Sequence, residues 1–110
     1  MRNTLEAYRA YTLAFRHACR IKDARVRVTQ QIELAKGRAQ LPDRLELIWQ
    51  LEQLPLTEAE REVLKYYYLG DTPSWQEVAD RLNYSEPRIY QLRRSALEKL
   101  DSLDEQEAHS

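Results

Sequence analysis

The sequence predicts an all-α protein, and both its composition and its apolar pattern carry that prediction. Glycine occurs only twice in 110 residues, while leucine, glutamate, arginine, alanine and glutamine, which favour helices, are abundant. Apolar residues recur three or four positions apart through most of the chain, which is the spacing of one buried helical face. Proline and glycine fall between these periodic stretches, where they end one helix before the next begins.

Residues 1–40 form the first periodic stretch, and no proline or glycine interrupts it before Gly37. Asn3 with Glu6 fits a capping pair, and Gly37 fits a helix stop. The apolar stripe shifts near Arg25, so one bent helix and two consecutive helices both fit. One helix of roughly 34 residues would span ~50 Å, too long for a small domain to cover alone. We therefore expect a helical extension that forms a homodimer or binds a partner protein; the alternative is a helix folded back on its own domain.

Two shorter helices are predicted in the middle of the chain, and each is opened by a capping residue. Asp43 can cap the first, which shows leucines on one face. Thr57 with Glu60 forms a capping box for the second, which ends at Gly70. We interpret the tyrosines at 66–68 as core rather than as a base-stacking surface, because aromatic residues at helical spacing usually face inward.

The last two predicted helices are joined by a tight turn. Ser74 and Glu77 form a capping pair for the first of them. Asn83 follows it, and asparagine readily adopts the left-handed conformation that a sharp turn requires. Ser85 can cap the second helix, with Pro87 in its first turn, where a missing N–H costs nothing. This arrangement predicts a helix-turn-helix.

The second helix of this pair is amphipathic in a way that suits DNA. Its apolar face, which includes Ile89 and Leu92, is expected to turn inward. Arginine near its N-terminal end can bond guanine edges in the major groove, and glutamine can bond adenine edges. A helical hairpin with an ordinary solvated face is the alternative. The polar face carries Glu86, Arg88, Tyr90, Gln91, Arg93 and Arg94.

Charge is nearly balanced over the chain but unevenly distributed. The total is 17 Lys and Arg against 18 Asp and Glu. Residues 1–40 hold nine basic and three acidic residues, whereas residues 41–110 hold eight and fifteen. Because the half predicted to bind DNA is acidic, we expect few phosphate contacts and weak binding by one copy. Different roles are open for the basic residues of the first half. They form a solvated face, or they contact phosphates or the acidic half of a partner chain.

Several other classes of function are not expected from this sequence. The single cysteine, Cys19, allows no disulfide framework. There is no signal-peptide run and no stretch of eighteen apolar residues, so we expect a soluble cytoplasmic protein that does not contact a membrane. The sequence shows no Gly-rich phosphate loop, ligand cluster or activated nucleophile. We therefore expect neither an enzyme nor a bound cofactor, metal or small-molecule substrate.

The stretch LTEAEREVLKYYYLGDTPSWQEVADRLNYSEPRIYQLRRSALEKL, residues 56–100, resembles region 4 of bacterial sigma factors. It resembles phage-encoded sigma-like regulators of the ArpU/RinA type still more closely. The blocks LTEAEREVL, SWQEVADRLNYS and IYQLRRSALEKL are its most specific parts, and the likeness begins at Asp43. It implies a four-helix, helix-turn-helix DNA-binding domain over residues 41–101. Residues 102–110 are expected to be an acidic, frayed tail.

In sigma factors this region reads the −35 promoter element through its last helix and also rests on the RNA polymerase flap. The resemblance implies that Arg88, Arg93 and Arg94 contact phosphates. Glu86 and Pro87 depart from the charged pair common in sigma factors, so ordinary −35 specificity is not expected. The full set of expected DNA-binding residues is Ser85, Glu86, Pro87, Arg88, Tyr90, Gln91, Arg93 and Arg94, with Glu86, Pro87, Tyr90 and Gln91 facing bases.

Three functions compete on these grounds. The first is a sequence-specific DNA-binding transcriptional regulator of phage or prophage origin that also touches RNA polymerase. The second is a protein-interaction module for RNA polymerase or an anti-sigma-like partner. The third is a DNA-packaging adaptor resembling a small terminase subunit, which also pairs a helix-turn-helix with an oligomerising helix. Duplex binding that weakens steeply with salt favours the first function, and no duplex binding favours the second. A ring of many copies favours the third, whereas a dimer favours regulation.

Overall fold

The computed structural model describes residues 1–70 and 72–109, with side chains through Glu105. Every regular element in this part of the chain is helical, as the sequence predicts. The segment Lys65–Leu69 continues the fourth helix as a π-helical turn, here called the π turn. The α-helices are α1 (Arg2–Cys19), α2 (Ala24–Arg38), α3 (Arg44–Gln53), α4 (Glu58–Leu64), α5 (Trp75–Leu82) and α6 (Glu86–His109).

Residues 1–40 form two helices packed side by side as an antiparallel hairpin. Asp23 separates them, because its carboxylate accepts hydrogen bonds from two backbone N–H groups at the start of α2. The Arg38 guanidinium, at the end of α2, lies 5.8 Å from the centre of the Tyr8 ring of α1. Of the two arrangements that the apolar stripe allowed, two consecutive helices is therefore the one observed.

Two capping predictions for this hairpin are wrong. Asn3 does not cap α1, because the helix has already begun at Arg2, where the Met1 carbonyl accepts from the N–H of Leu5. Gly37 does not stop α2, which continues to Arg38. The chain turns one residue later, where the Arg38 carbonyl accepts from the N–H of Leu41 and the Arg38 side chain donates to the Leu41 carbonyl.

The core takes one face from α1 and one from each of α3 to α6. Leu5 of α1 is fully buried together with Leu47, Val63, Val78 and Ile89. Burial of an aliphatic side chain of this size contributes about 1.5–3 kcal/mol. Because Leu5 belongs to the same core, α1 is folded onto the helix-turn-helix unit.

The second helix of the hairpin packs differently. α2 contributes no buried residue, and its neighbour is α1. The chain measures 45 × 38 × 19 Å with a radius of gyration of 15.8 Å, above the roughly 13 Å expected of a compact domain of this length. α2 therefore projects from the domain with one long side open.

The middle helices begin where the sequence predicts. Asp43 caps α3 through the N–H of Glu46, and Thr57 and Glu60 form the expected capping box at α4. Tyr68 is buried and Tyr67 is half-buried, but Tyr66 is exposed. The prediction that the tyrosine run lies in the core is wrong for Tyr66, because successive residues of a helical turn point in different directions around its axis.

The acidic tail is helical rather than frayed. α6 runs on to His109, and Ser110 lies outside the described residues. The α-amino group of Met1 lies 2.8 Å from Asp104 Oδ1, and Arg2 Nη1 lies 2.7 Å from Asp101 Oδ2. These ion pairs join the N-terminal end of the chain to the first turn of this segment, which a reading of the tail by itself could not anticipate.

Candidate nucleic-acid interface

The turn between α5 and α6 has the geometry that its sequence predicts. Asn83 is left-handed, with φ 59° and ψ 37°, and it is the one non-glycine residue with positive φ in the described part of the chain. The N–H of Tyr84 donates to the Ala79 carbonyl at 2.9 Å and closes the corner. Ser85 Oγ accepts from the N–H of Arg88 at 3.3 Å and so caps α6. The two helices are therefore held at a fixed angle by local backbone bonds.

Only one of the two side-chain hydrogen bonds expected of a capping box forms at the start of α5. Ser74 Oγ accepts from the N–H of Glu77 at 3.2 Å, as expected. The carboxylate of Glu77 does not return the bond, because it lies 3.3 Å from Nε of Arg81, one turn further along the helix. Ser74 alone therefore fixes the first turn of the helix that packs against α6.

The two faces of α6 are separated as a recognition helix requires. Ile89 is fully buried and Leu92 is nearly so, which fixes the rotation of the helix. Tyr90 is 46 % exposed on the opposite side. Only the start of α1 lies near that side, and the side remains exposed and open to a duplex. The predicted residues exposed there are Ser85, Glu86, Pro87, Arg88, Tyr90, Gln91 and Arg94.

Arg93 is half-buried and differs from the other predicted site residues. Its guanidinium lies 5.2 Å from the centre of the Trp75 ring. Trp75 stacks on Tyr67, with ring centres 4.0 Å apart and planes 11° apart. The Arg9 guanidinium covers the far side of Tyr67 at 3.9 Å from the ring centre. These four side chains, here called the aromatic column, connect α1 with α6 through stacking and cation–π contacts.

Arg9 also holds the connection that leads into α5. Its Nη1 donates to the carbonyls of Tyr67 and Thr72, both at 2.8 Å, and its Nη2 donates to the Pro73 carbonyl at 3.1 Å. Sequence reasoning placed Arg9 among the basic residues around the first helix and missed this role. The available signal was its position four residues after Leu5, on the face of α1 that is buried.

A buried carboxylate sets the position of α6 from behind. Glu60 is 2 % exposed and accepts from Lys99 Nζ at 2.7 Å and from Ser95 Oγ at 2.6 Å. Burial by itself would raise the pKa of Glu60. The hydrogen bonds from Lys99, Ser95 and Thr57 outweigh burial and lower that pKa to about 2. Glu60 is therefore ionised at neutral pH and ties α4 to α6.

The charges on the open face of α6 are available to a polyanion. Arg94 pairs with Glu98 at 3.2 Å, but both side chains are exposed, so the pair is weak and exchangeable. Arg88 makes no ion pair within the described residues. The arginines of this face can therefore turn toward phosphates without breaking a buried contact.

The described residues give no sign of two other kinds of site. No group of three His, Cys, Asp or Glu side chains among them could hold a metal ion. None of the helices in the described ranges has the length and apolar character needed to cross a membrane.

Residues 55–102 match the family model for sigma-70, region 4. This segment is an all-α helix-turn-helix unit that is similar to sigma-70 region 4. The match covers α4, the π turn, α5 and much of α6, and it includes every predicted DNA-binding residue. α1, α2 and α3 lie outside it, although the sequence likeness was placed from Asp43. Neither curated proteins nor solved structures gave a match to the chain.

Proposed function

We propose that the protein is a sequence-specific regulator of transcription that binds double-stranded DNA, of the ArpU/RinA type and encoded by a phage or prophage. The observation that carries this proposal is the open polar face of α6, which displays Tyr90, Gln91 and Arg94 within a sigma region 4-like unit. A recognition helix inserts such a face into the major groove.

The residues of α6 divide into two roles. Glu86, Pro87, Tyr90 and Gln91 face base edges, and a good bidentate pair, such as Gln91 with adenine, discriminates by about 1–3 kcal/mol. Contacts to the phosphate backbone fix the register and supply affinity that does not depend on sequence. Those contacts come from Arg88, Arg93, Arg94 and the Ser85 turn.

A second copy strengthens binding through residues 1–40. α2 contributes no buried residue, and its exposed side carries Val28 and Ile32, the latter 51 % exposed. These side chains lie one turn apart and form an apolar stripe that another copy of the hairpin can cover. Coupling two α6 helices in this way raises the affinity of an otherwise weak reader.

Selection of duplexes from a random library by the purified protein tests this function. At low salt we expect an enriched motif with two half-sites roughly 34–36 Å apart, one helical turn. Binding should weaken steeply with added salt. A library that shows no enrichment at low salt would overturn the proposal.

A protein-interaction module is the second candidate, and an exposed patch on α3 favours it. Leu45 is 75 % exposed and Trp49 is 63 % exposed, one turn apart on the same side of the helix. Such a patch suits RNA polymerase or an anti-sigma-like partner. This candidate predicts no duplex binding at any salt concentration.

A ring of many copies, measured by light scattering, would instead favour a packaging adaptor.

A further inference from the structure

A cleft of about 330 Å³ separates the first half of α1 from α5 and α6. Arg2 and Arg9 line it from α1, and Arg93 lines it from α6. Tyr67 and Trp75 of the aromatic column form its wall. We call this space the α1–α6 cleft.

The α1–α6 cleft adjoins the DNA-facing side of α6. A neighbouring depression of about 320 Å³ shares Arg2 and Arg93 with it and is also lined by Tyr90 and Arg94. Tyr90 and Arg94 belong to the exposed face that is proposed to meet DNA. A duplex seated on that face would therefore bring its sugar–phosphate backbone to the mouth of the cleft.

The cleft offers more donors than the protein uses. A guanidinium carries five N–H donors. Arg2 donates through Nε to Glu6 and through Nη1 to Asp101. Its Nη2 donates to no described residue and remains available to a ligand. None of the Arg93 N–H groups donates to a described residue, and its guanidinium lies over the Trp75 ring.

The charge of the cleft selects an anion. Three guanidinium groups line it against one carboxylate, that of Glu6, although Arg9 is already bonded to three carbonyls and Asp101 contacts Arg2 from the neighbouring depression. A phosphate diester presents oxygens that match the planar fork of arginine, and it can accept from two guanidinium groups at once. A neutral or cationic ligand would gain nothing from this arrangement.

We propose that the α1–α6 cleft binds a backbone phosphate of the DNA, held by Arg2 from α1 and by Arg93 from α6. This inference rests on the proposed DNA-binding function. It makes α1 a part of the DNA interface as well as of the core. It also gives Asp101 a role, since this carboxylate holds Arg2 Nη1 at 2.7 Å and competes with the phosphate for it.

Affinity for the selected duplex, measured at several salt concentrations, tests the proposal. Arg2→Gln and Arg93→Gln should each weaken binding roughly tenfold and reduce the slope of log affinity against log salt by about 1. Arg25→Gln, which removes an exposed arginine from α2, serves as the matched control and should leave the slope nearly unchanged. Thermal melting confirms that each variant is folded.

The competing carboxylate supplies an opposite test. Asp101→Asn frees Arg2 and should tighten binding about threefold, whereas Glu105→Gln, an exposed change further along α6, should do so less. In the Arg2→Gln background, Asp101→Asn should gain less than it does in the wild type. An equal gain in both backgrounds would mean that Asp101 acts only through general charge, and the proposal would be overturned.

Methylphosphonate substitution locates the phosphate on the duplex. Each backbone position is made neutral in turn, and the affinity of the wild type, Arg2→Gln and Arg93→Gln is compared. Neutralising one phosphate should weaken binding by the wild type but have little further effect on binding by either variant. If no position behaves in this way, while Gln91→Ala still alters sequence preference, the cleft proposal fails and the DNA-binding function stands. If the wild type binds no duplex, both fail.

Discussion

Lys99 of α6 places its ammonium group 2.7 Å from Oε1 of Glu60, a carboxylate buried at the start of α4. The same oxygen accepts from the N–H of Thr57 at 2.8 Å and so completes the capping box of α4. One side chain therefore both begins α4 and holds the middle of α6. The position of α6 against α4 depends on this charged contact in the core.

Acid should weaken the fold through Glu60. The native pKa of Glu60 is lowered from 4.5 to about 2. A lowered native pKa stabilises the fold above pH 4.5, and that stabilisation is lost as pH falls toward 2. The contribution at neutral pH is on the order of 3 kcal/mol. Urea unfolding at pH 7, 4.5 and 3 measures it.

Glu60→Gln isolates this effect from that of other carboxylates. The variant should lose about 2–4 kcal/mol at pH 7, since Lys99 is left without its partner. Its stability should also change less than that of the wild type between pH 4.5 and 3. Glu58→Gln, at an exposed position in the same turn, is the control and should keep the wild-type acid response. Equal acid responses in the wild type and Glu60→Gln would refute the assignment.

Arg9 should stabilise the fold through its specific contacts and not only through its positive charge. Arg9→Ala removes three bonds to backbone carbonyls and one cation–π contact, so we expect a loss of about 2–4 kcal/mol in the free energy of unfolding. Arg9→Lys should recover only part of it, because an ammonium group lacks the planar fork. Urea unfolding followed by tryptophan fluorescence measures both. Arg20→Ala, an exposed change just after α1, should cost little; if it cost as much as Arg9→Ala, the contacts would not explain the loss.

Substitution by alanine should have opposite effects on stability at the two glycines. At Gly70 an added Cβ would lie 2.8 Å from the Tyr66 carbonyl oxygen, so the exit from the π turn must shift. We expect Gly70→Ala to cost about 1–3 kcal/mol. At Gly37 an added Cβ meets no atom within 4 Å, and α2 has helical backbone there, so Gly37→Ala should stabilise by about 0.5–1 kcal/mol. Thermal melting of both variants checks this; a shift of the same sign in each would contradict it.

Association should depend on the open side of α2. Ile32→Glu places a charge in the apolar stripe and should raise the dissociation constant of the dimer at least about tenfold. Leu45→Glu makes the same change at an exposed position on α3 and should leave association unchanged. Sedimentation equilibrium of the wild type and both variants measures this. A dimer that dissociates only in the Leu45→Glu variant would place the interface on α3.

Features set by neighbouring residues were predictable from the sequence. The capping box of Thr57 and Glu60 and the left-handed Asn83 each involve residues within a few positions of one another. The open face of α6 follows from helical periodicity alone. Local geometry therefore predicts the helix-turn-helix and most of its outward-facing side chains; Arg93, which packs on Trp75, is the exception.

Features that join distant parts of the chain were not predictable in the same way. Arg9 reaches carbonyls more than fifty positions away, and its sequence neighbourhood does not distinguish it from the other arginines of α1. The α-amino group of Met1 contacts Asp104, more than a hundred positions away, because the start of α1 lies beside α6. The π turn likewise has no signature in the sequence beyond its tyrosines.

The most direct test of the central claim compares the DNA preferences of the wild type and Gln91→Ala in one random-duplex selection. If the open face of α6 reads bases, the wild type should enrich a defined motif. Gln91→Ala should lose preference at one position of each half-site, by about 1–3 kcal/mol, and keep the rest. An identical enriched motif and affinity for both proteins would contradict base reading by this face.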